Sequence, residues 1–166
     1  MPAATRTWDS ATAVAASTAA AWSTDTAPVT GDTAIIPSTS GLGNVLGADM
    51  NAVELVKLVT SQGCRLDVGT SATPLIIGSA KFLIRGSGSV YIQNDSSGTE
   101  IFAVNSPNMD TALTITGNTA VSRVNVARGG VTISAGDVAS IYAGVVPQLR
   151  NAIKVTSGSG ATGYCV

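Results

Sequence analysis

Short apolar pairs, two residues apart and often followed by glycine, recur along this chain in two interleaved series. Because successive side chains of a β-strand point to opposite faces, each pair marks one inward-facing strand. Successive pairs lie 16, 20 and 22 residues apart in one series and 15, 23 and 18 in the other, near the short end of the solenoid range. The first series is Leu66/Val68, Phe82/Ile84, Phe102/Val104 and Val124/Val126, and the second is Leu75/Ile77, Val90/Ile92, Leu113/Ile115 and Val131/Ile133.

This pattern predicts an all-β fold, a parallel β-helix (β-solenoid) with about 19 residues and two core strands per rung. We expect an N-terminal cap or arm over residues 1–30, the solenoid body over 31–146 and a C-terminal tail or docking arm over 147–166. Because the two ends of such a coil expose strand edges, the fold requires caps or oligomerisation to cover them.

Two segments leave the choice between helix and strand open. Asp9 or Ser10 could cap a short helix through the alanine-rich residues 11–21, although the Ser and Thr content there makes an irregular or strand form nearly as good. Residues 49–59 fit either an amphipathic helix that begins at Asp49 or a buried strand. We favour the strand because apolar residues are dense there.

The two ends of the chain differ in composition from the middle. Both tryptophans, Trp8 and Trp22, lie in the first 30 residues, where a large aromatic laid over the first rung would block strand addition. Residues 156–163 are too polar and glycine-rich to fold alone, and they lead to Tyr164-Cys165-Val166. That apolar end predicts either contact with a neighbouring chain or packing on the same subunit.

Charge and cysteine usage exclude several kinds of partner. Charged residues make up 11% of the chain, and its nine basic and ten acidic residues are scattered singly. We therefore expect neither nucleic acid nor a membrane surface as a partner. Residues 11–21 lack the charged start and leucine-type core of a signal peptide, so export by that route is not expected. Cys64 and Cys165, 101 residues apart, are predicted to be free thiols.

The residues needed for catalysis are missing from the sequence. The chain has no histidine, which removes the commonest general base and the commonest metal ligand. The carboxylates Asp67, Glu100 and Asp137 lie in different turns or strands, and the sequence Gly86-Ser87-Gly88 has no partner to activate its serine. We expect no enzymatic activity, no cofactor and no metal.

One pair of strands suggests a hydroxyl array. Thr114/Thr116 and Thr132/Ser134 occupy outward positions 18 residues apart, so they could stack into a ladder of the kind that ice-binding solenoids present. Only two rungs show the pattern, so ordinary solvated threonine on β-strands is the favoured interpretation.

The opening of the chain resembles the start of β-helical surface proteins of bacteria and their phages. In those proteins a Trp-Ser element and a Pro-x-x-Gly-Asp-Thr turn lead into the first rung. Here the matching residues are Trp22-Ser23 and Pro28-Val29-Thr30-Gly31-Asp32-Thr33-Ala34-Ile35-Ile36-Pro37. With one short coil and no signal peptide, the chain is more similar to small virion proteins of tailed phages, of the head decoration or cement type. The motif is confined to residues 22–37, whereas the architecture covers most of the chain.

This resemblance implies a right-handed coil and a homo-oligomer, a trimer, seated on a capsid lattice at its symmetry axes. We therefore expect a non-enzymatic structural protein of a phage virion, located on the capsid surface and made in the host cytoplasm. Its expected partners are its own copies and the major capsid protein or another virion protein. The alternative is a binding module, either a glycan-binding fibre or adhesin or an ice-binding solenoid; a polysaccharide lyase is a third. The expected interface anchors are Trp8, Trp22, Tyr164 and Val166.

Overall fold

The chain forms a coil of stacked parallel β-strands. The computed structural model describes residues 3–94 together with the strands at 100–105, 112–115, 121–128, 130–133, 141–143 and 153–155, and it describes side chains up to residue 93, apart from residue 51. These residues contain no α-helix, only two three-residue 3-10 turns at Ala19–Ala21 and Ser23–Asp25. The all-β solenoid predicted from the apolar pairs is therefore confirmed.

Seven strands form the longer sheet, sheet A, in which each strand is parallel to its neighbours. Parallel neighbours need a long crossover, and here each crossover is one circuit of the coil. In order across the sheet the strands are β1 (Thr5–Thr7), β3 (Thr33–Ile36), β6 (Lys57–Thr60), β8 (Lys81–Arg85), β10 (Glu100–Asn105), β12 (Val121–Arg128) and β14 (Ile141–Ala143).

Six strands form sheet B, which is also parallel throughout. Strand pairing in the two sheets is not confined to residues 31–146, which were predicted as the solenoid body. Sheet A begins with β1 at residues 5–7, and the last strand of sheet B lies at residues 153–155. The strands of sheet B are β5 (Asp49–Leu55), β7 (Leu75–Ser79), β9 (Tyr91–Asn94), β11 (Ala112–Ile115), β13 (Gly130–Ile133) and β15 (Ile153–Val155).

A third, shorter line of pairing, which we call the corner ladder, lies between sheets A and B along the chain. It begins with β2 (Val14–Ala15) beside β4 (Val45–Leu46) and continues through single bridges at Val68 and Val90. All three of Val45, Val68 and Val90 are buried. Each described turn between residues 33 and 94 therefore contributes two strands and one buried corner valine.

The register of sheet A confirms most of the first apolar series and corrects its start. Phe82 pairs with Phe102, and Phe102 pairs with Val124, as the spacing predicts. The preceding neighbour of Phe82 is Leu58, however, and not Leu66. A search for apolar pairs passes over Leu58 because its inward companion is a threonine.

That threonine, Thr60, is buried without an energetic penalty because its hydroxyl is satisfied. The Thr60 hydroxyl donates to the carbonyl of Arg85 on the next strand and accepts from the Arg85 N–H, at 2.7 Å from that nitrogen. Buried polar groups cost little when they are hydrogen-bonded in this way. Leu66 and Val68 instead lie at the corner, with Val68 on the corner ladder.

The second series needs a similar correction at one rung. Ile92 pairs with Leu75 on one side and with Leu113 on the other. It therefore aligns with the first residue of the neighbouring apolar pairs, whereas the spacing predicted that it would align with the second. Val90, its predicted companion in the sheet, lies on the corner ladder. Within sheets A and B the step between paired residues also varies, from 28 between Thr5 and Thr33 to 17 between Val124 and Ile141.

Both open choices between helix and strand are settled as strand or irregular structure. Residues 49–59 form β5 and the start of β6. The alanine-rich residues 11–21 contain the short β2 and one 3-10 turn.

Glycines at the corners allow neighbouring turns to approach closely. A Cβ built on Gly88 would lie 1.9 Å from the carbonyl oxygen of Leu66, and one on Gly86 would lie 2.2 Å from that of Cys64. Both contacts are with the backbone of the preceding turn, so a side chain cannot be accommodated by rotating a neighbour. The Gly86-Ser87-Gly88 sequence is thus a packed bend, as its lack of a catalytic partner led us to expect.

Candidate interaction surfaces

The two predicted tryptophan anchors are buried in their own subunit. Trp8 is 0% and Trp22 is 2% exposed, and their rings meet edge to face with centroids 5.2 Å apart. Each indole N–H donates to a backbone carbonyl, Trp8 to Gly43 at 2.9 Å and Trp22 to Ala16 at 2.7 Å. In this arrangement both side chains close the N-terminal end of the coil from inside and offer no face to another molecule.

A buried carboxylate, Asp32, ties the same end together. Its oxygens accept from the N–H groups of Ala4 at 2.8 Å and Val29 at 3.2 Å, and from the Arg6 guanidinium at 3.1 Å. Burial alone would raise the pKa of Asp32, but these donors and the charge of Arg6 outweigh it and hold that pKa below its ordinary value. Asp32 is therefore ionised at neutral pH and fixes the start of β1 to the turn before β3.

The 3-10 turns cover the outer edge of the chain at the last residue of β1 and just beyond it. The Thr7 N–H donates to the hydroxyl of Ser23 at 3.0 Å, and the Asp9 N–H donates to the carbonyl of Ala21 at 3.0 Å. Such N–H groups on an edge strand otherwise form a template for another chain. We call this assembly of Trp8, Trp22, Ser23, Asp32 and Arg6 the N-terminal cap.

Sequence reasoning identified the region of the cap but not its polar residues. Ser23 and Asp32 both lie in the segment that carries the family resemblance, which is the signal that could have indicated them. Tyr164 and Val166, the other two predicted anchors, lie outside the described residues, as do Cys165 and residues 156–163.

A polar ladder runs beside the corner valines. Asn44, Asp67 and Ser89 each precede one of those valines, and they occupy successive turns. Asp67 accepts from the Asn44 amide at 3.3 Å and from the Ser89 N–H at 2.8 Å, while its own N–H donates to Asn44 at 3.0 Å. These side chains satisfy the corner backbone, so they serve the fold, as is usual for Asn, Asp and Ser at turns.

Cys64 is a free, buried thiol in the described part of the chain. Burial raises the pKa of its thiol, and the negative charge of Asp67 adds to the rise, although a hydrogen bond with the backbone of Leu66 opposes it. A thiol with a raised pKa is a poor nucleophile at neutral pH. The prediction of a free thiol is confirmed for Cys64.

A shallow polar groove lies at the corner between the second and third circuits. Its volume is about 580 Å³, and Leu42 and Leu66 supply its apolar part. The Arg65 guanidinium is exposed at this groove and makes no ion pair with any described residue. The sequence contained no pattern that marked Arg65. The other lining residues are Ser38, Thr39, Ser40, Gly41, Gln62 and Gly63.

The structure describes part of the predicted hydroxyl ladder, since Thr116 and Ser134 lie outside the described residues. Thr114 pairs directly with Thr132 in sheet B. On either side of them the register places Gln93 and Lys154, which interrupt a uniform hydroxyl array.

Within the described residues, no group of three or more Cys, Asp or Glu side chains is arranged to hold a metal ion. The same part of the chain contains no helix that is long and apolar enough to span a bilayer. Comparison of the chain with known protein families, with curated proteins and with solved structures finds no match.

Proposed function

We propose that this chain is a non-enzymatic structural protein of a tailed-phage particle, a capsid decoration or cement protein that oligomerises on the coat lattice. The observation that carries the proposal is the identity of the N-terminal cap. Ser23 and Asp32 belong to the segment that resembles phage β-helical proteins, and they hydrogen-bond to residues 4–7 at the first strand of the coil, while Trp22 of the same segment packs its ring against Trp8.

The proposed mechanism is geometric. A coil whose first edge is covered by its own residues adds to a lattice as a discrete block and does not extend into a fibre at that end. Its weakly charged, hydroxyl-rich walls would pack against copies of the chain in a trimer. The C-terminal arm, with Tyr164 and Val166 at its tip, would clamp neighbouring coat subunits.

The decisive experiment is to look for the protein on particles. Particles of the phage that encodes this chain are purified, and antibodies against the protein are applied to them before negative-stain microscopy. We expect labelling of the heads and weaker rebinding of a variant that lacks residues 156–166. Purified particles that carry no copy of the protein would contradict the virion assignment, and unchanged rebinding of the truncated variant would contradict the role of the arm.

The polar groove supports a second candidate function, a saccharide-binding module. Hydroxyl, amide and guanidinium groups beside the side chains of Leu42 and Leu66 suit the hydroxyls and C–H faces of a sugar. The test is calorimetric titration with neutral and acidic oligosaccharides, comparing Arg65→Ala with Arg85→Ala, which removes a cation outside the groove. Saturable binding that only Arg65→Ala weakens would support this function, and the absence of binding would exclude it.

A further inference from the structure

The coil collects cations onto the outer face of sheet A. In its described strands inward and outward residues alternate: Leu58, Phe82 and Ile84 are buried, whereas Lys81 and Arg85 are exposed. Although the sequence scatters its charges singly, the circuit length brings several basic residues to this one face.

The register shows how far this grouping extends. Lys57 and Lys81 directly precede the paired residues Leu58 and Phe82, so they are cross-strand neighbours. Ile101 pairs with both Lys81 and Arg123, and Asn105 pairs with both Arg85 and Arg128. Five of the nine basic residues therefore fall on two register lines of sheet A: Lys57, Lys81 and Arg123 on one line, and Arg85 and Arg128 on the other.

Among the strands of sheet A, Glu100 is the one carboxylate that the structure describes, and it directly precedes Ile101 at the start of β10. In the side-chain-resolved part of the chain, the ion pair is between Arg6 and Asp32 in the cap, and none involves Lys57, Lys81 or Arg85. Like charges on neighbouring strands destabilise a sheet. An external anionic surface would remove that repulsion.

An apolar stripe separates the two lines of cations. Ile35, Val59 and Leu83 are stacked in register on the outer face and are each half-buried. Ala103 continues the same register position in the next strand. Lys81 and Arg85 lie four residues apart along β8, so the two lines are about 13 Å apart with the stripe between them.

We infer that the outer face of sheet A is a docking surface for an acidic protein surface whose carboxylates surround an apolar centre. An apolar core inside a charged rim is the usual anatomy of a protein interface. A nucleic acid would need cations along the phosphate path in place of the aliphatic stripe.

The size of the face sets the strength of the contact. The five strands from β3 to β12, at a spacing of about 4.8 Å and a width of about 13 Å, give roughly 300 Å², less than half of one side of a standard interface. One face therefore binds weakly, and several linked copies are needed for stable attachment. The inference deepens the proposed function and rests on it only for the location of the acidic surface, since the binding chemistry is tested on the purified protein.

The test uses two labelled synthetic peptides, one of repeated Glu-Glu-Leu and one of repeated Glu-Glu-Ser, with fluorescence anisotropy as the readout. We expect the leucine peptide to bind more tightly, and its binding to weaken as salt rises. Lys57→Glu/Lys81→Glu should weaken it about tenfold. If that double variant does not fold, Lys57→Gln/Lys81→Gln replaces it.

Two single variants of the face, Lys81→Glu and Leu83→Ser, are each compared with a matched variant outside it. The comparison separates loss of binding at this face from the general effect of reversing a charge or removing an apolar side chain. Arg65→Glu reverses a cation outside the face and serves as the control for Lys81→Glu. Leu46→Ser removes an exposed leucine on the corner ladder, where Leu46 is 46% exposed, and serves as the control for Leu83→Ser. We expect the control variants to leave peptide affinity unchanged.

Three results would overturn the inference. The first is the absence of binding to either peptide. The second is an equal loss of affinity in Arg65→Glu and Lys81→Glu. The third is tighter, Lys81-dependent binding of a short DNA duplex or of heparin, which would assign the face to a nucleic acid or to an anionic polysaccharide. Each result is read on purified protein, so it is independent of whether the protein is found on particles.

Discussion

Asp32 shows how one residue links the sequence motif to the stability of the coil end. It accepts three hydrogen bonds, one of them from the Arg6 guanidinium, and these lower its pKa in the folded state. A carboxyl whose folded pKa lies below the unfolded value of about 3.9 stabilises the fold above that pH. This contribution is lost as pH falls through the folded pKa.

The first prediction concerns Asp32→Asn. Because the amide accepts fewer hydrogen bonds and cannot pair with Arg6, we expect a loss of about 1–3 kcal/mol in the free energy of unfolding at neutral pH. We also expect stability to fall less steeply below about pH 4 than in the wild type. Urea unfolding at several pH values measures both effects. Asp25→Asn, at an exposed carboxyl, is the control, and an equal effect of the two variants would contradict the role given to Asp32.

The second prediction concerns the corner glycines. In Gly88→Ala the new methyl group would meet the Leu66 carbonyl of the neighbouring turn, so we expect a loss of about 1–3 kcal/mol in stability. Gly78→Ala is the matched control, because the atoms nearest to its methyl group would be those of the Glu54 carboxylate, at the end of a side chain, and not backbone atoms. Denaturant unfolding curves compare the two variants. Equal midpoints would show that the turns are free to move apart at this corner.

At the scale of elements, the 3-10 turns matter because they occupy the edge of β1. Each turn is only three residues long, and the two turns are held by Ser23, by Ala21 and by the buried Trp22. Their effect is to end sheet A at β1 within the subunit. The edge is therefore closed by tertiary contacts and not by a strand-breaking residue.

The third prediction follows from this edge. Ser23→Ala removes the acceptor for the Thr7 N–H, which should cost about 1 kcal/mol and open part of the edge to strand addition. We expect thioflavin-positive, higher-mass species to accumulate on storage. Ser17→Ala, at an exposed serine with no hydrogen bond to a described residue, is the control. Size-exclusion chromatography over time makes the comparison, and identical profiles would contradict a protective role for Ser23.

For the whole molecule, the proposal turns on how many copies associate. A single coil of 16.5 kDa offers less than half of one side of a standard interface on sheet A, so the proposed attachment to a lattice would benefit from several copies. The closed N-terminal edge favours side-by-side association over end-to-end stacking.

The fourth prediction is the mass of the purified protein in solution. Light scattering over a range of concentrations should give three times the chain mass of 16.5 kDa. A mass equal to one chain at every concentration would contradict a trimer in solution. Assembly on the lattice and saccharide binding would then be the next experiments.

The sequence predicted the coil but only part of its register. Most of the apolar pairs, from Phe82 onward in sheet A, align as their spacing indicates. The errors fall where a buried polar residue, Thr60, occupies a core position and where Val68 and Val90 turn a corner. Hydrophobic spacing identifies neither case, because Thr60 depends on a hydrogen bond to another turn and corner positions depend on loop geometry.

By itself the sequence determined the parallel all-β coil, its glycine-marked bends and the absence of histidine chemistry, because these follow from local patterning and residue content. Only the tertiary structure decided which residues face one another across turns. The ion pair of Asp32, the burial of Trp8 and Trp22 and the grouping of Lys57 with Lys81 all join residues separated by one circuit or part of one. Such contacts depend on the length and shape of every intervening turn, which no local pattern specifies.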